Sequence, residues 1–260
     1  REQEKIMKIT SKDNKLIKLA KKLHTRKERK EANLFLIEGE KLIKEAISSQ
    51  VKLHYLFYKE GKVHDFNLNK DTQDFEIPEH FMEFISTTDS APPYLAIAQT
   101  INWPDISFNN ASLILIILGL QDPGNFGTII RSSEATGVDY IIATKGTVDL
   151  FNPKVVRSSM GSVFRQPVAY IENLEKMIFA LQSEDWQFVM TSPYAEKSFH
   201  SFDYTKKTAF VIGNEGQGIG PHLLKTYQSI KIPMFGQVES LNTSIAASLL
   251  LYEVVRQRGK

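Results

Sequence analysis

Three glycine-rich or polar segments carry the residue types that could bind a small molecule and act on it. They lie at 121–127 (QDPGNFG), 213–220 (GNEGQGIG) and 232–244 (IPMFGQVESLNTS). The four glycines of the second segment permit positive φ angles and a close approach of the backbone to a ligand. The third segment contains more serine, threonine and asparagine side chains than one helix N-cap requires. These patterns indicate a small-ligand site, although ordinary turns and caps use the same residue types.

Arg131 follows the first segment and places a positive charge near the predicted N-terminus of a helix, where positive charge is disfavoured. The pattern predicts a helix over Thr128–Thr136, with Arg131 within about its first turn. Because the N-terminus of a helix carries partial positive charge, a guanidinium there suits a site that also holds a phosphate or carboxylate. A surface arginine after an ordinary turn is the alternative.

Several familiar chemistries do not fit these segments. A dinucleotide-binding motif that starts at Gly216 would need a third glycine where Pro221 stands, and the second segment lacks the lysine of a P-loop. Ser240 is not in a nucleophile elbow, and the six histidines lack the spacing of metal ligands. The chain has no cysteine, which excludes a thiol nucleophile and a cysteine-ligated metal. We therefore expect no metal, and the residues alone do not identify the ligand.

From residue 112 onward, short apolar runs alternate with helical patterns. The predicted strands are Leu113–Leu120, Tyr140–Ala143, Pro167–Ile171, Trp186–Thr191, Thr208–Ile212 and Ile230–Pro233. The predicted helices are Thr128–Thr136, Pro153–Ser162, Leu174–Gln182, Leu223–Tyr227 and Ser244–Arg258. Continuous apolar strands separated by helices predict an α/β fold with a mainly parallel sheet flanked by helices. The three segments follow predicted strands, which is where open α/β sheets place their ligands.

The N-terminal part of the chain differs in charge and in pattern. Residues 1–30 hold 12 lysines and arginines against 4 acidic residues, whereas the remaining residues hold 20 against 26. This asymmetry suggests contact with a polyanion, the alternative being a solvated lysine-rich helix face. We predict a small α+β domain over 1–100, a linker over 101–111 and the α/β domain over 112–260. No apolar run could span a bilayer and no signal-peptide pattern is present, so we expect a cytoplasmic protein.

The three segments, in this order, resemble the motifs of the SpoU (TrmH) family of RNA ribose methyltransferases, within the SPOUT superfamily. Asn125 and Arg131 stand six residues apart in the first (NFGTIIR), and the second and third read FVIGNEGQGI over 210–219 and IPMFGQVESLN over 232–242. The resemblance covers about 112–258. More weakly, residues 10–100 resemble the substrate-binding domain, similar to small ribosomal RNA-binding proteins, that precedes many SpoU catalytic domains.

The resemblance implies S-adenosylmethionine (S-adenosyl-L-methionine) as methyl donor, a ribose 2′-hydroxyl of structured RNA as acceptor, a deep C-terminal trefoil knot and a homodimer. It assigns Arg131 to activation of the hydroxyl and the remaining catalytic positions to Asn125, Glu215, Ser240 and Asn242. By position in the motifs, the donor would contact Thr191, Gly213, Gly218, Ile232, Gly236 and Leu241. RNA would contact the basic run that includes Arg26, Lys27, Arg29 and Lys30.

Two questions stay open at the level of the sequence. The basic N-terminal domain favours ribosomal RNA, 23S in particular, over tRNA as the substrate. A non-catalytic RNA-binding or ribosome-assembly factor could keep the same fold, but the intact set of Asn125, Arg131, Glu215 and Asn242 argues against it.

Overall fold

The computed structural model of the chain describes residues 7–103, 107–182, 184–214, 216 and 218–259. It divides into two compact units, the first formed by Arg1–Asn102 with Asp149–Phe164 and the second by Trp103–Val148 with Arg165–Lys260. The expected linker over 101–111 includes the junction at 102–103. The expected boundaries do not account for Asp149–Phe164, which folds with the N-terminal unit.

The N-terminal unit is a small sheet covered by helices. Its elements up to residue 102 are α1 (Lys15–Lys22), α2 (Arg26–Ala32), β1 (Leu34–Glu38), α3 (Glu40–Ser48), β2 (Leu53–Lys59), β3 (Gln73–Ile77), α4 (Glu79–Ile85) and β4 (Tyr94–Gln99). The strand order is β1-β4-β2-β3, with β4 antiparallel to both its neighbours and β2 parallel to β3. The Asn14 side chain caps α1 by accepting the Leu16 N–H at 2.8 Å. Ile17 and Leu23 enter the core beside Phe57 and Ile97.

The second half of the chain alternates strands and helices. Its elements are β5 (Leu113–Ile117), α5 (Pro123–Thr136), β6 (Tyr140–Thr144), α6 (Pro153–Ser158), β7 (Val168–Ile171), α7 (Leu174–Gln182), β8 (Gln187–Thr191), β9 (Lys197–Ser198), β10 (Thr208–Ile212), α8 (Pro221–Thr226), β11 (Gln228–Lys231) and α9 (Thr243–Arg258). All of these except α6 belong to the second unit.

The sheet of the second unit has the order β7-β6-β5-β10-β8-β11-β9 within the described residues, and every neighbouring pair is parallel. The predicted mainly parallel α/β sheet is therefore confirmed. Every residue of the central strands β5 and β10 is buried, which explains why their sequences are continuous apolar runs rather than alternating ones. The two-residue strand β9 was not predicted. The trefoil knot stays a prediction.

Helix α5 begins earlier than the sequence pattern predicts. The Asp122 carboxylate accepts the Asn125 N–H at 2.6 Å and Pro123 occupies the first helical position, so the helix starts at 123 rather than 128. Arg131 is therefore the ninth residue of the helix, more than two turns from its N-terminus. The helix dipole acts mainly within the first turn, so the dipole argument for an anion beside Arg131 is wrong.

The segment Asp149–Phe164 is held in the N-terminal unit by two ion pairs and a ring contact. The Arg29 guanidinium lies 2.7 Å from an Asp149 carboxylate oxygen, and that of Arg157 lies 3.1 Å from Glu38. The Phe151 ring lies 4.5 Å from that of Phe35, measured between centroids. These contacts explain why α6 and its flanking residues fold with β1.

A buried carboxylate near the end of α9 organises the last turn of that helix. Glu253 is 4 % exposed and accepts hydrogen bonds from Arg256 and Gln257, with His200 at 3.4 Å. The Arg256 guanidinium, with smaller contributions from Gln257 and His200, lowers the pKa of Glu253 to about 2.

Candidate active site

Three of the predicted donor-binding positions lie at one edge of the second sheet. Strand β8 pairs with both β10 and β11, and the Thr191 hydroxyl at its end donates to the Val211 carbonyl at 3.1 Å. Gly213 follows β10 directly, and Ile232 follows β11. Because neighbouring parallel strands run in one direction, their carboxyl ends and the loops after them converge on one edge.

The second segment closes into a tight turn. The Gly218 N–H donates to the Asn214 carbonyl at 3.1 Å, and Gly218 has a φ of +61°. A Cβ added to Gly213 would lie 2.3 Å from the Gly218 carbonyl carbon, closer than any side chain tolerates. Only glycine therefore fits at 213 in this turn. Glu215 lies outside the described residues.

The first and third segments are joined by hydrogen bonds between their amide side chains. Asn242 Nδ2 donates to Asn125 Oδ1 at 2.9 Å, and the Ser244 hydroxyl donates to Asn242 Oδ1 at 2.6 Å. The same Asn242 oxygen accepts the backbone N–H groups of Ser244 and Ile245, which makes Asn242 the N-cap of α9. One asparagine thus starts α9 and holds it to α5.

Ser244 was expected only as one of several cap residues, yet its buried hydroxyl also lies 3.4 Å from Asn125 Oδ1. The excess of short polar side chains in the third segment was the signal for this role. A second link between the two helices is the 2.7 Å hydrogen bond between the Ser132 and Ser248 hydroxyls.

Arg131 lies on the exposed side of α5. Its side chain forms no hydrogen bond or ion pair within the described part of the chain. Ser240 and Gly236 are also exposed, whereas Leu241 is half-buried. The structure therefore links Asn125 with Asn242 but leaves Arg131 and Ser240 without partners among the described residues.

Helix α9, which packs against α5, exposes an apolar stripe. Ile245, Leu249 and Tyr252, at intervals of four and three residues, are 52 %, 41 % and 55 % exposed. This spacing places them on one face of the helix. Thr128 is exposed on α5 one turn before Arg131.

Of the four residues expected to contact RNA, Arg26, Lys27 and Lys30 are exposed. Arg29 is buried, and its guanidinium donates to the Leu23 and His24 carbonyls as well as to Asp149. This contradicts its expected contact with RNA, because its donors are already used inside the unit.

The exposed face of α1 and the turn before it add cations that were not assigned to RNA from the sequence, namely Lys12 in the turn and Lys15, Lys18, Lys21 and Lys22 in the helix. The sequence feature that could have identified these lysines is the helical period, which buries Ile17 and Ala20 on the opposite face of α1. Lys12 and Lys21 also lie 4.1 and 5.0 Å from the centre of the Phe84 ring. This makes α1 a strongly cationic surface.

Two classes of feature are absent from the residues that the structure describes. None of their His, Asp and Glu side chains form a group of three or more suited to a metal ion. None of their helices combines the length and apolar character needed to cross a membrane.

Comparison with known proteins identifies the family. Residues 112–252 match the SpoU rRNA Methylase family, and residues 14–96 match the MRM3-like substrate binding domain. A Bacillus subtilis relative, named 23S rRNA (guanosine(2553)-2′-O)-methyltransferase RlmP, is 34 % identical over 95 % of this chain and 98 % of its own length.

Two similar solved structures were determined with S-adenosylmethionine. One is an rRNA methyltransferase from Sinorhizobium meliloti, with a TM-score of 0.84, 28 % identity and coverage of 96 % and 98 % of the two chains. The other is AviRb from Streptomyces viridochromogenes, with a TM-score of 0.83, 26 % identity and coverage of 95 % and 99 %. The chain belongs to the SpoU rRNA methylase family.

Proposed function

We propose that this chain uses S-adenosylmethionine to methylate a ribose 2′-hydroxyl of ribosomal RNA in the cytoplasm. The observation that carries the proposal is the hydrogen bond between Asn242 and Asn125, because it joins the helix bearing Arg131 to the end of the third segment. The names of the relatives support the same reaction, and the RlmP relative supports 23S ribosomal RNA as the substrate class.

The sheet edge suits a donor held mostly by main-chain groups. The glycine turn packs the main chain of Gly218 against that of Gly213 directly after β10, and Ile232 and Leu241 are half-buried apolar side chains that could pack against an adenine. We assign the donor to Thr191, Gly213, Gly218, Ile232, Gly236 and Leu241. When bound, S-adenosylmethionine supplies an electrophilic methyl group on a positively charged sulfur.

We assign Arg131 to the ribose hydroxyl. A neutral hydroxyl is a poor nucleophile, so the enzyme must align it and stabilise the negative charge that develops on its oxygen. A guanidinium keeps its proton and has only hydrogen-bond donors, so it can hold and stabilise this oxygen but not serve as a simple base. The hydroxyl proton then leaves to another acceptor, for which we propose an RNA phosphate.

Asn125 and Asn242 position the site rather than react. Their hydrogen bond holds α5, the helix that carries Arg131, against the start of α9. The ordering roles expected for Glu215 and Ser240 stay predictions.

We further propose that the enzyme is a homodimer that buries the apolar stripe of α9. Ile245, Leu249 and Tyr252 together form an exposed apolar surface that a second copy could cover. Arg131, on the exposed side of the adjacent helix, would then act at the donor site of the partner. A Leu249→Lys variant should be monomeric by light scattering, whereas Phe179→Lys, at an exposed position on α7, should remain dimeric.

Mixing two variants tests whether the site is shared, at a donor concentration that saturates the wild type but not Gly213→Ala, so that each variant alone transfers little or no methyl group. If Arg131 acts across the dimer, mixing Arg131→Ala with Gly213→Ala forms heterodimers with one site that has both wild-type residues. Methyl transfer should then reappear on mixing. If Arg131 acts within its own chain, the mixture stays inactive.

The exposed cations of α1 and α2 supply the RNA-binding surface in this proposal. Lysines contact phosphates without reading sequence, so this surface would position structured RNA rather than select the nucleotide. The match of residues 14–96 to a substrate-binding domain supports the assignment.

The direct test combines calorimetric titration of S-adenosylmethionine with a methyl-transfer assay on 23S ribosomal RNA. Wild-type protein should bind the donor and transfer its methyl group. Arg131→Ala should bind the donor with unchanged affinity but lose transfer, and Arg131→Lys should recover little because it lacks the planar fork. Failure of the wild type to bind at millimolar donor would refute the enzyme and favour a non-catalytic RNA-binding factor.

A further inference from the structure

Two aromatic side chains stand almost fully in solvent at the edge of the second sheet. Phe235, in the third segment, is 99 % exposed, and Tyr194, in the loop after β8, is 87 % exposed. Single exposed apolar residues are common on protein surfaces. These two differ in their position, because each lies in a loop next to residues that we assign to the donor.

The loop that carries Tyr194 is held in a defined turn. The Ala195 N–H donates to the Ser192 carbonyl at 3.2 Å, the Tyr194 N–H lies 3.3 Å from the Ser192 hydroxyl oxygen, and Pro193 occupies the second position of the turn. Ala195 is buried and anchors the far side. The fold therefore fixes the backbone of Tyr194 while leaving its ring in water.

The two loops follow neighbouring strands. Thr191 pairs with Ile230 across β8 and β11, and the Ser192 N–H donates to the Ile230 carbonyl at 3.0 Å. Tyr194 stands three residues beyond Thr191, and Phe235 four residues beyond the end of β11. Both rings thus leave the edge at which the carboxyl ends of the strands converge.

We propose that Phe235 and Tyr194 are RNA-binding residues whose rings stack against unpaired bases next to the methylated ribose. The inference rests on the proposed function, which needs a ribose freed from regular helix geometry. Proteins that bind single-stranded RNA stack its unpaired bases on aromatic side chains. The stacking contact itself does not depend on which base is present. The α1 lysines bind phosphates, so the rings would supply the contact with bases that those lysines lack.

The test measures binding of a fluorescent 12-nucleotide oligoadenylate and methylation kinetics on a 23S ribosomal RNA transcript, both with the full chain. Phe235→Ala and Tyr194→Ala should each weaken oligonucleotide binding roughly tenfold, as expected for the loss of one stacked base. Both should raise KM for RNA by a similar factor and leave kcat at saturating RNA within about twofold. Phe235→Trp should restore binding, whereas Phe179→Ala, which removes an exposed ring from α7, should change nothing.

Salt dependence and donor titration separate this role from others. Stacking releases no counterions, so the slope of affinity against salt should be the same in Phe235→Ala as in wild type. Unchanged oligonucleotide affinity in both alanine variants would overturn the proposal. Loss of donor affinity in Phe235→Ala would also overturn it, because the ring would then belong to the donor site. A monomeric Phe235→Ala would overturn it as well, because the ring would then belong to the dimer interface. A wild-type protein that binds oligonucleotide through these rings but transfers no methyl group would refute the proposed function alone.

Discussion

Replacing Gly213 by alanine should selectively damage donor binding. An added Cβ would lie 2.3, 2.4 and 2.7 Å from the carbonyl carbon, carbonyl oxygen and Cα of Gly218. Ordinary carbon–carbon contacts begin near 3.5 Å, so the Gly218 backbone would have to move by about 1 Å. These are backbone atoms, which cannot move aside as a flexible side chain would.

The cost follows from the usual penalty for overpacking. Inserting a methyl group into a closed structure costs about 1–3 kcal/mol. If the turn must return to its present shape to bind S-adenosylmethionine, that cost appears as an affinity about 5- to 150-fold weaker. If the turn deforms permanently, the affinity falls further.

Gly220→Ala is the matched control. Gly220 has a φ of −58°, which any residue adopts, and a Cβ there would meet nothing within 4 Å. Calorimetric titration should therefore show wild-type affinity for Gly220→Ala and the loss for Gly213→Ala, with both variants folded by circular dichroism. Wild-type donor affinity in Gly213→Ala would refute the assignment of this turn to the donor.

Three further predictions concern stability and RNA binding. Arg29→Ala should destabilise the protein by about 3–5 kcal/mol in urea unfolding, since it strips a buried partner from Asp149, whereas Lys27→Ala, at an exposed pair, should cost under about 0.5 kcal/mol. The folded-state pKa of Glu253 is about 2, below the unfolded value near 4.5, so the charged carboxylate contributes about 1–2 kcal/mol to the free energy of unfolding, a figure discounted for the solvent-exposed Arg256. This contribution is present above pH 4.5 and is lost as the pH falls toward 2. Glu253→Gln should flatten that pH dependence of unfolding, and an unchanged profile would contradict the assignment. Replacing Lys15, Lys18 and Lys22 with glutamine should lower the salt slope of RNA affinity by about one for each lysine that binds a phosphate in the wild type, and an unchanged slope would show that α1 is only a solvated face.

The sheet could be predicted because its cause is local. Strands buried on both faces are mostly apolar, and β5 and β10 have this pattern, with Thr208 at the start of β10 as the one polar residue. The start of α5 depends instead on one hydrogen bond, in which the Asn125 N–H donates to the Asp122 carboxylate. The proline and glycine that follow Asp122 read as turn residues in the sequence, so the helix was predicted to start later. The strand order and the folding of Asp149–Phe164 with the N-terminal unit depend on contacts distant in sequence, and no local pattern predicts them.

The candidate site divides in the same way. The residue types of the three segments were visible in the sequence, but their meaning came from the family resemblance. The pairing of Asn125 with Asn242 spans more than a hundred residues and could not be derived from either segment alone. Arg29 was misassigned because a basic run looks uniformly solvated, although one of its members turns inward to Asp149.

The measurement that tests the central claim most directly is the chemical position of the transferred methyl group. The protein is incubated with methyl-labelled S-adenosylmethionine and a 23S ribosomal RNA transcript, and the RNA is then hydrolysed in alkali. Because alkaline cleavage needs a free 2′-hydroxyl, ribose methylation leaves the label in an alkali-resistant dinucleotide. We predict label in that dinucleotide with the wild type and none with Arg131→Ala. Label on a base, released as a mononucleotide, or no transfer by a protein that binds the donor, would contradict the account.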